Sequence, residues 1–154
     1  MNFQITGLPS APFQPYFSMD AAELALHGAM RLTADDDRSP CRVSLAHAAI
    51  GDELLLVSYE HQMAQSPYRA AGPIYVRKNA IEAKLMANEV PEQIRSRLLS
   101  VRGYDRDDLI VEAEVTEGAL VEATIEQFFR SDSVMYIHIH FARRGCYAAR
   151  VDRA

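Results

Sequence analysis

Only two of the 154 residues are cysteine, Cys41 and Cys146, too few for a disulfide framework and consistent with reduced thiols in a cytoplasmic setting. No apolar run approaches the roughly 20 residues that a membrane-spanning helix needs; the stretch Leu54–Val57 falls far short, so no membrane span is expected. The opening Met1–Gly7 has neither a basic leader nor an apolar segment with a small-residue cleavage site, so secretion is not expected either. Basic residues are outnumbered 16 to 21, giving a net charge of -5. No run of Lys or Arg alternates with aromatics, so the phosphate-neutralising stripe that nucleic acid requires is missing. The chain has no GxSxG elbow, phosphate-binding glycine loop, dinucleotide fingerprint or HExxH pair, and no cofactor is assigned. Repeats, low-complexity tracts and linkers are also lacking. Residues 1–154 therefore read as one globular domain, long enough to bury roughly 70% of the surface of its unfolded chain.

Local patterns give the fold class. Pro9, Pro12 and Pro15 forbid a regular helix or a central strand near the start, so residues 1–18 are expected to form an extended Pro-rich arm. Asp20-Ala21-Ala22-Glu23 has the form of a capping box opening a helix that ends near Gly28. Arg31–Ala34 reads as a short strand. The following Asp35-Asp36-Asp37 lacks the alternating oxygen ligands of a calcium loop and reads as a solvated turn. Arg42–Leu45, Glu53–Tyr59 and Pro73–Arg77 read as further strands, with Glu53–Tyr59 at a sheet centre because its apolar run is nearly continuous. Pro91–Leu99 reads as a short amphipathic helix with Pro at its first position. Leu109–Val115 is a strand with one apolar face. Val121, Ile125, Phe128 and Phe129 fall at i, i+4, i+7 and i+8, marking a helix whose aromatics belong to the core. Val134–Phe141 and Cys146–Val151 flank a Gly-containing loop and form a C-terminal hairpin. The sum is an α+β fold: a mainly antiparallel sheet, two to three helices and a C-terminal β-hairpin.

The chemistry concentrates in two places. On the last hairpin, Met135, Ile137, Ile139 and Phe141 share one face, leaving Tyr136, His138 and His140 on the other. Pairing Phe141 with Cys146 sets His140 opposite Tyr147, His138 opposite Ala149 and Tyr136 opposite Val151. Two His at i and i+2, about 7 Å apart at Cα, can share a metal ion if His61 supplies a third nitrogen. A hydrogen-bonded or exposed pair is the alternative. The second concentration is the long connection from Tyr59 to Pro73, which holds Glu60, His61, Tyr68 and Arg69: a carboxylate, an imidazole, a phenol and a guanidinium, suited to acid–base work on an anion. Tyr68 and Arg69 read equally well as pins that hold the loop to the body. Cys146 follows a Gly turn near Arg143 and Arg144, whose charges favour a thiolate nucleophile.

Pro40-Cys41-Arg42, Tyr59–Gln62 through Pro67-Tyr68-Arg69 to Gly72-Pro73-Ile74, and His138-Ile139-His140 with Gly145-Cys146-Tyr147 together resemble a bacterial family, the domain of unknown function 1203. The resemblance implies no activity and points to the same residues. The catalytic candidates are thus Glu60, His61 and Cys146, and the ligand-binding candidates Arg42, Tyr68, Arg69, His138 and His140. The leading expectation is a small anionic ligand, bound or processed by acid–base chemistry. A non-catalytic interaction module or homo-oligomer is the second, and a mononuclear metal protein the third.

Overall fold

The computed structural model describes residues 1–154. Five strands with period-2 alternation make the larger sheet: β1 (Phe3–Thr6), β5 (Leu98–Tyr104), β6 (Ile110–Glu117), β7 (Tyr136–Phe141) and β8 (Tyr147–Arg153), ordered β1-β8-β7-β5-β6. Every pairing is antiparallel. One face presents Phe3, Ile5, Leu99, Val101, Ile137, Ile139 and Val151 to a core that also takes in Val121, Ile125, Phe128 and Phe129. Those last four are the apolar stripe of the helix α3 (Val121–Phe129), and burying each of them stabilises the fold by about 1.5–3 kcal/mol. Gly118 leads into α3 across a very close approach: a Cβ there would lie 2.1 Å from the Ile94 carbonyl oxygen.

The expected helix over Pro91–Leu99 is cut short. The helix α2 covers only Glu92–Arg95, and Leu98 and Leu99 already belong to β5. Leu99, Val101 and Gly103 turn to the core, while Ser100, Arg102 and Tyr104 take the opposite face. The expected strand at Leu109–Val115 forms as β6, but its apolar face lies in the open: β6 is the outermost strand, with Val111 42% and Val115 58% exposed.

The smaller sheet, ordered β2-β3-β4, comprises β2 (Ala29–Thr33), β3 (Glu53–Gln62) and β4 (Ala70–Arg77), with β3 central as its apolar run implies. Ahead of it, α1 (Ala21–Leu26) carries the full capping box: Asp20 accepts from the Glu23 backbone N–H, and Glu23 accepts from that of Asp20. The first 18 residues are not an extended arm. Phe3–Thr6 adds to the sheet edge beside β8, and Ala11–Ser18 winds into a 3₁₀ helix with Phe13 buried. Proline's fixed φ is compatible with this tighter helix, and its missing N–H costs little at the first turn. Arg42–Leu45 is likewise not a strand. The segment turns, with Leu45 in left-handed backbone at φ 52, and lies between the Leu8 N–H, which donates to the Arg42 carbonyl, and the Tyr75 carbonyl, which accepts from the Arg42 N–H.

The hairpin β7–β8 forms as expected, but its register slips. His140 lies opposite Tyr147, whereas His138 lies opposite Arg150 and Ile137 opposite Val151. The cause is a bulge between Ile139 and His140, which places Ala148 and Ala149 together in the core, both fully buried. Tyr147 in turn packs among the apolar residues of the smaller sheet, and so joins the two sheets. No helix is long and apolar enough to cross a membrane.

Candidate functional site

The polar face of the larger sheet, away from α3, carries Tyr136, His138 and His140 on β7 beside Ser100, Arg102 and Tyr104 on β5. The end of β3 meets this face. A register shift between Glu60 and Gln62 leaves His61 between the regular pairs, and a bulge of this kind re-aims a side chain. The His61 ring centroid lies 4.9 Å from that of His140 and 6.3 Å from that of His138, and the latter two are 6.4 Å apart. Tyr147 closes the group, stacked on His61 at 5.4 Å and edge-on to His138 at 5.2 Å. Tyr104 and Tyr136 stack on each other at 5.0 Å, and both pack against His138. Such aromatic pairs add about 0.5–1.5 kcal/mol each beyond their burial.

Burial disfavours the charged form of all three imidazoles. Burial, then the neighbouring His140, Arg150, His61 and Arg102, pushes His138 down to about 3. Burial likewise pushes His140 down to about 3, against the opposing effect of its hydrogen bond to Gly145. His61 is lowered too, by burial and then by Arg102. The His140 Nδ1 lies 2.9 Å from the Gly145 carbonyl oxygen. A carbonyl can only accept, so in the neutral ring the proton is on Nδ1 and Nε2 holds the lone pair. That Nε2 is buried without a hydrogen-bond partner, as are Nδ1 of His61 and Nδ1 of His138. Buried polar atoms are nearly always paired, so three unpartnered nitrogens in one cluster mark it out. Arg102 donates to Ser100 Oγ at 3.2 Å and belongs to none of the chain's six ion pairs. Across this face, burial falls from His138 and His140 on β7, through half-buried Ser100 and Arg102 on β5, to exposed Ala113 and Val115 on β6. The less buried side of the cluster is therefore the one toward β6.

Supporting groups hold the neighbouring loops. Gln62 Nε2 donates to the Tyr136 hydroxyl at 2.8 Å, which donates in turn to Asp108 Oδ1 at 2.6 Å. Ser66 Oγ donates to the Asp108 carbonyl at 3.0 Å, tying the connection after β3 to the turn before β6. Burial, with the Asp108 carboxylate adding to it, raises the Tyr136 phenol and keeps it protonated.

The other residues singled out from the sequence divide between two places. Glu60 and Arg69 form an ion pair at 2.6 Å, half open to solvent. Tyr68 is 41% exposed, with its ring edge toward Tyr104 at 6.4 Å. Of these three, Tyr68 alone meets a ring that packs on His138, namely Tyr104. Arg42 and Cys146 form a separate cluster beyond Tyr147. Arg42 is 1% exposed, and its guanidinium donates to the Tyr147 and Pro40 carbonyls and to Cys146 Sγ. Arg42 and Arg97 both lie over the Phe141 ring, and Cys146 favours the charged form of each. Desolvation lowers the Arg42 guanidinium to about 10, with Cys146 opposing it.

Arg102 and Tyr104 went unread because Leu98 and Leu99 satisfy a helical spacing; the alternation Leu99, Val101, Gly103 was the signal that would have placed them. No group of three or more His, Cys, Asp or Glu side chains is arranged to hold a metal ion. Two surface hollows, of about 340 and 410 Å³, lie against β2 and β3 and include none of the imidazoles.

No curated protein and no solved structure matches the chain. Residues 38–153 match the family described as protein of unknown function (DUF1203), a span that takes in β3 to β8 and every residue of the imidazole cluster, and the chain belongs to that family.

Proposed function

We propose that the face formed by His61, His138, His140 and Arg102 binds a small anionic molecule and serves acid–base chemistry on it. The observation that carries this reading is the set of three buried, unpartnered imidazole nitrogens beside a guanidinium that forms no ion pair. A guanidinium offers a rigid fork of donors suited to carboxylate or phosphate oxygens. The imidazoles, kept neutral first by burial, offer lone pairs close to it, and a bound anion favours the imidazolium and so raises their pKa values toward the range a general base needs. His140 is the proton acceptor in this reading, since its Nδ1 is committed to Gly145. Tyr68, with the Glu60–Arg69 pair beside it, flanks the approach. Arg42 and Cys146 take no part.

The test is a titration of the wild-type chain and of Arg102→Leu with small carboxylates and oxyanions, read by imidazole ¹⁵N chemical shifts. The wild type is expected to show shifts at His138 and His140 that Arg102→Leu loses. A wild-type spectrum that no anion moves would refute the site.

A further inference from the structure

The lone pair on His140 Nε2 sets a requirement on what can sit beside Arg102. The Gly145 carbonyl accepts from Nδ1 at 2.9 Å, which leaves Nε2 as an acceptor, and that atom is out of reach of solvent and of every donor in the protein. His140 itself has no exposed surface. A ligand that brought only acceptor oxygens would satisfy the guanidinium and leave the buried lone pair facing further lone pairs, which is unfavourable. A ligand that brought an O–H would satisfy both. The two neighbouring unpartnered nitrogens, Nδ1 of His61 and Nδ1 of His138, belong to neutral rings and can each be the donor or the acceptor, according to the tautomer. The His140 contact with Gly145, at 2.9 Å, fixes that ring's Nε2 as an acceptor. Around the cluster, Tyr104, Tyr136 and Tyr147 pack their rings against His138, and Tyr136 already donates its hydroxyl proton to Asp108.

Resting on the anion-site reading above, we infer that the ligand is a small oxyanion that keeps a proton on one of its oxygens, such as hydrogen phosphate or a hydroxy acid, with the charged oxygen at Arg102 and the O–H donated to His140 Nε2. Fully deprotonated or hydroxyl-free anions of the same size are selected against. The discrimination arises because a buried acceptor left unpaired costs more than a hydrogen bond returns.

Two matched pairs of probes read this out on the full chain at neutral pH by calorimetry: inorganic phosphate against sulfate, which differ in whether a proton is retained, and glycolate against acetate, which differ by one hydroxyl. The expected result is a preference of about tenfold or more for the protonated member of at least one pair, lost in Arg102→Leu. Exchange of His140→Leu, which removes the acceptor, is expected to shrink the preference while Arg102 still holds the anion. If that variant does not fold, the wild-type pairs decide alone. Equal binding within both pairs, or tighter binding of sulfate and acetate, overturns the inference and leaves the anion site standing, provided that Arg102→Leu abolishes the binding. Failure of all four probes to bind overturns the anion site, and this inference with it.

Discussion

Lowering the pH from about 7.5 to about 5 is expected to destabilise this protein well before its carboxylates titrate. His138 and His140 sit at about 3 in the folded chain, chiefly because burial disfavours the imidazolium, whereas in the unfolded chain each returns to about 6.5. The unfolded state therefore binds protons that the folded state refuses. The stability contributed by their neutrality is complete above about pH 6.5 and is lost as the pH falls from there toward 3. At pH 5 each unfolded imidazole gains about 2 kcal/mol from protonation, so the pair removes about 4 kcal/mol, a large part of the 5–15 kcal/mol typical of a domain. His47 and His61, both lowered first by burial, act in the same direction. Glu122, held below its ordinary value by its hydrogen bond from Arg95, adds acid sensitivity only at lower pH. Urea unfolding at several pH values measures the effect: with a slope of about 2 kcal/mol per molar, the midpoint should fall by about 2 M across the window. The double exchange His138→Gln with His140→Gln should flatten the profile whatever it does to the absolute midpoint. A midpoint that stays constant down to pH 5, or a native His138 that titrates near 6.5 by NMR, would refute the reasoning.

Two substitutions test the packing around the site. Gly118→Ala directs a methyl group at the Ile94 and Arg95 carbonyl oxygens, 2.1 and 2.6 Å away; because both are backbone atoms, a loss of about 2 kcal/mol or more is expected by denaturation, and an unchanged midpoint would mean that α2 and α3 are free to part. Tyr136→Phe removes the hydroxyl that joins Gln62 to Asp108 and leaves buried Gln62 without that acceptor, at an expected cost of about 1–3 kcal/mol. Faster amide exchange through the Gln62–Tyr68 connection should accompany it, and unaltered exchange there would show that the loop is held by other contacts.

The parts of the fold legible in the sequence were those where one interaction decides. The Asp20–Glu23 capping box and the stripe of Val121, Ile125, Phe128 and Phe129 each specify a helix without outside help. The run Leu54–Val57 places β3 at the middle of its sheet by composition alone. The rest depended on tertiary context. Leu98 and Leu99 fit a helix continuing from Arg95 as well as they fit a strand, and only pairing with Phe141 and Thr116 selects the strand. Arg42–Leu45 has strand-like residues but turns at Leu45 to fit between Leu8 and Tyr75. At the site, alternation was enough to put His138 and His140 on one face. The meeting of that face with His61 came from a bulge in β3, which local pattern does not announce. Arg102 was hidden by the misread strand that carries it.

The Ala148–Ala149 step in β8 divides one strand into two segments of opposite phase. Tyr147 and Arg150 are three residues apart, so in a regular strand they would point to opposite faces; the bulge returns both to the polar side, with Arg150 over the Tyr136 ring at 4.0 Å and Tyr147 against His61. The extra residue is therefore what keeps both side chains on one face at this chain length. Closing the bulge with every residue retained would hold Tyr147 in place only by turning Val151 toward the imidazoles and Arg150 and Asp152 into the apolar core with α3. Removing Ala148 has the opposite outcome: Tyr147 and Arg150 become two residues apart, and plain alternation keeps both on the polar side with Ala149 and Val151 in the core. The strand thus tolerates the loss of this alanine in phase, and what the loss removes is the local bend that the bulge gives β8.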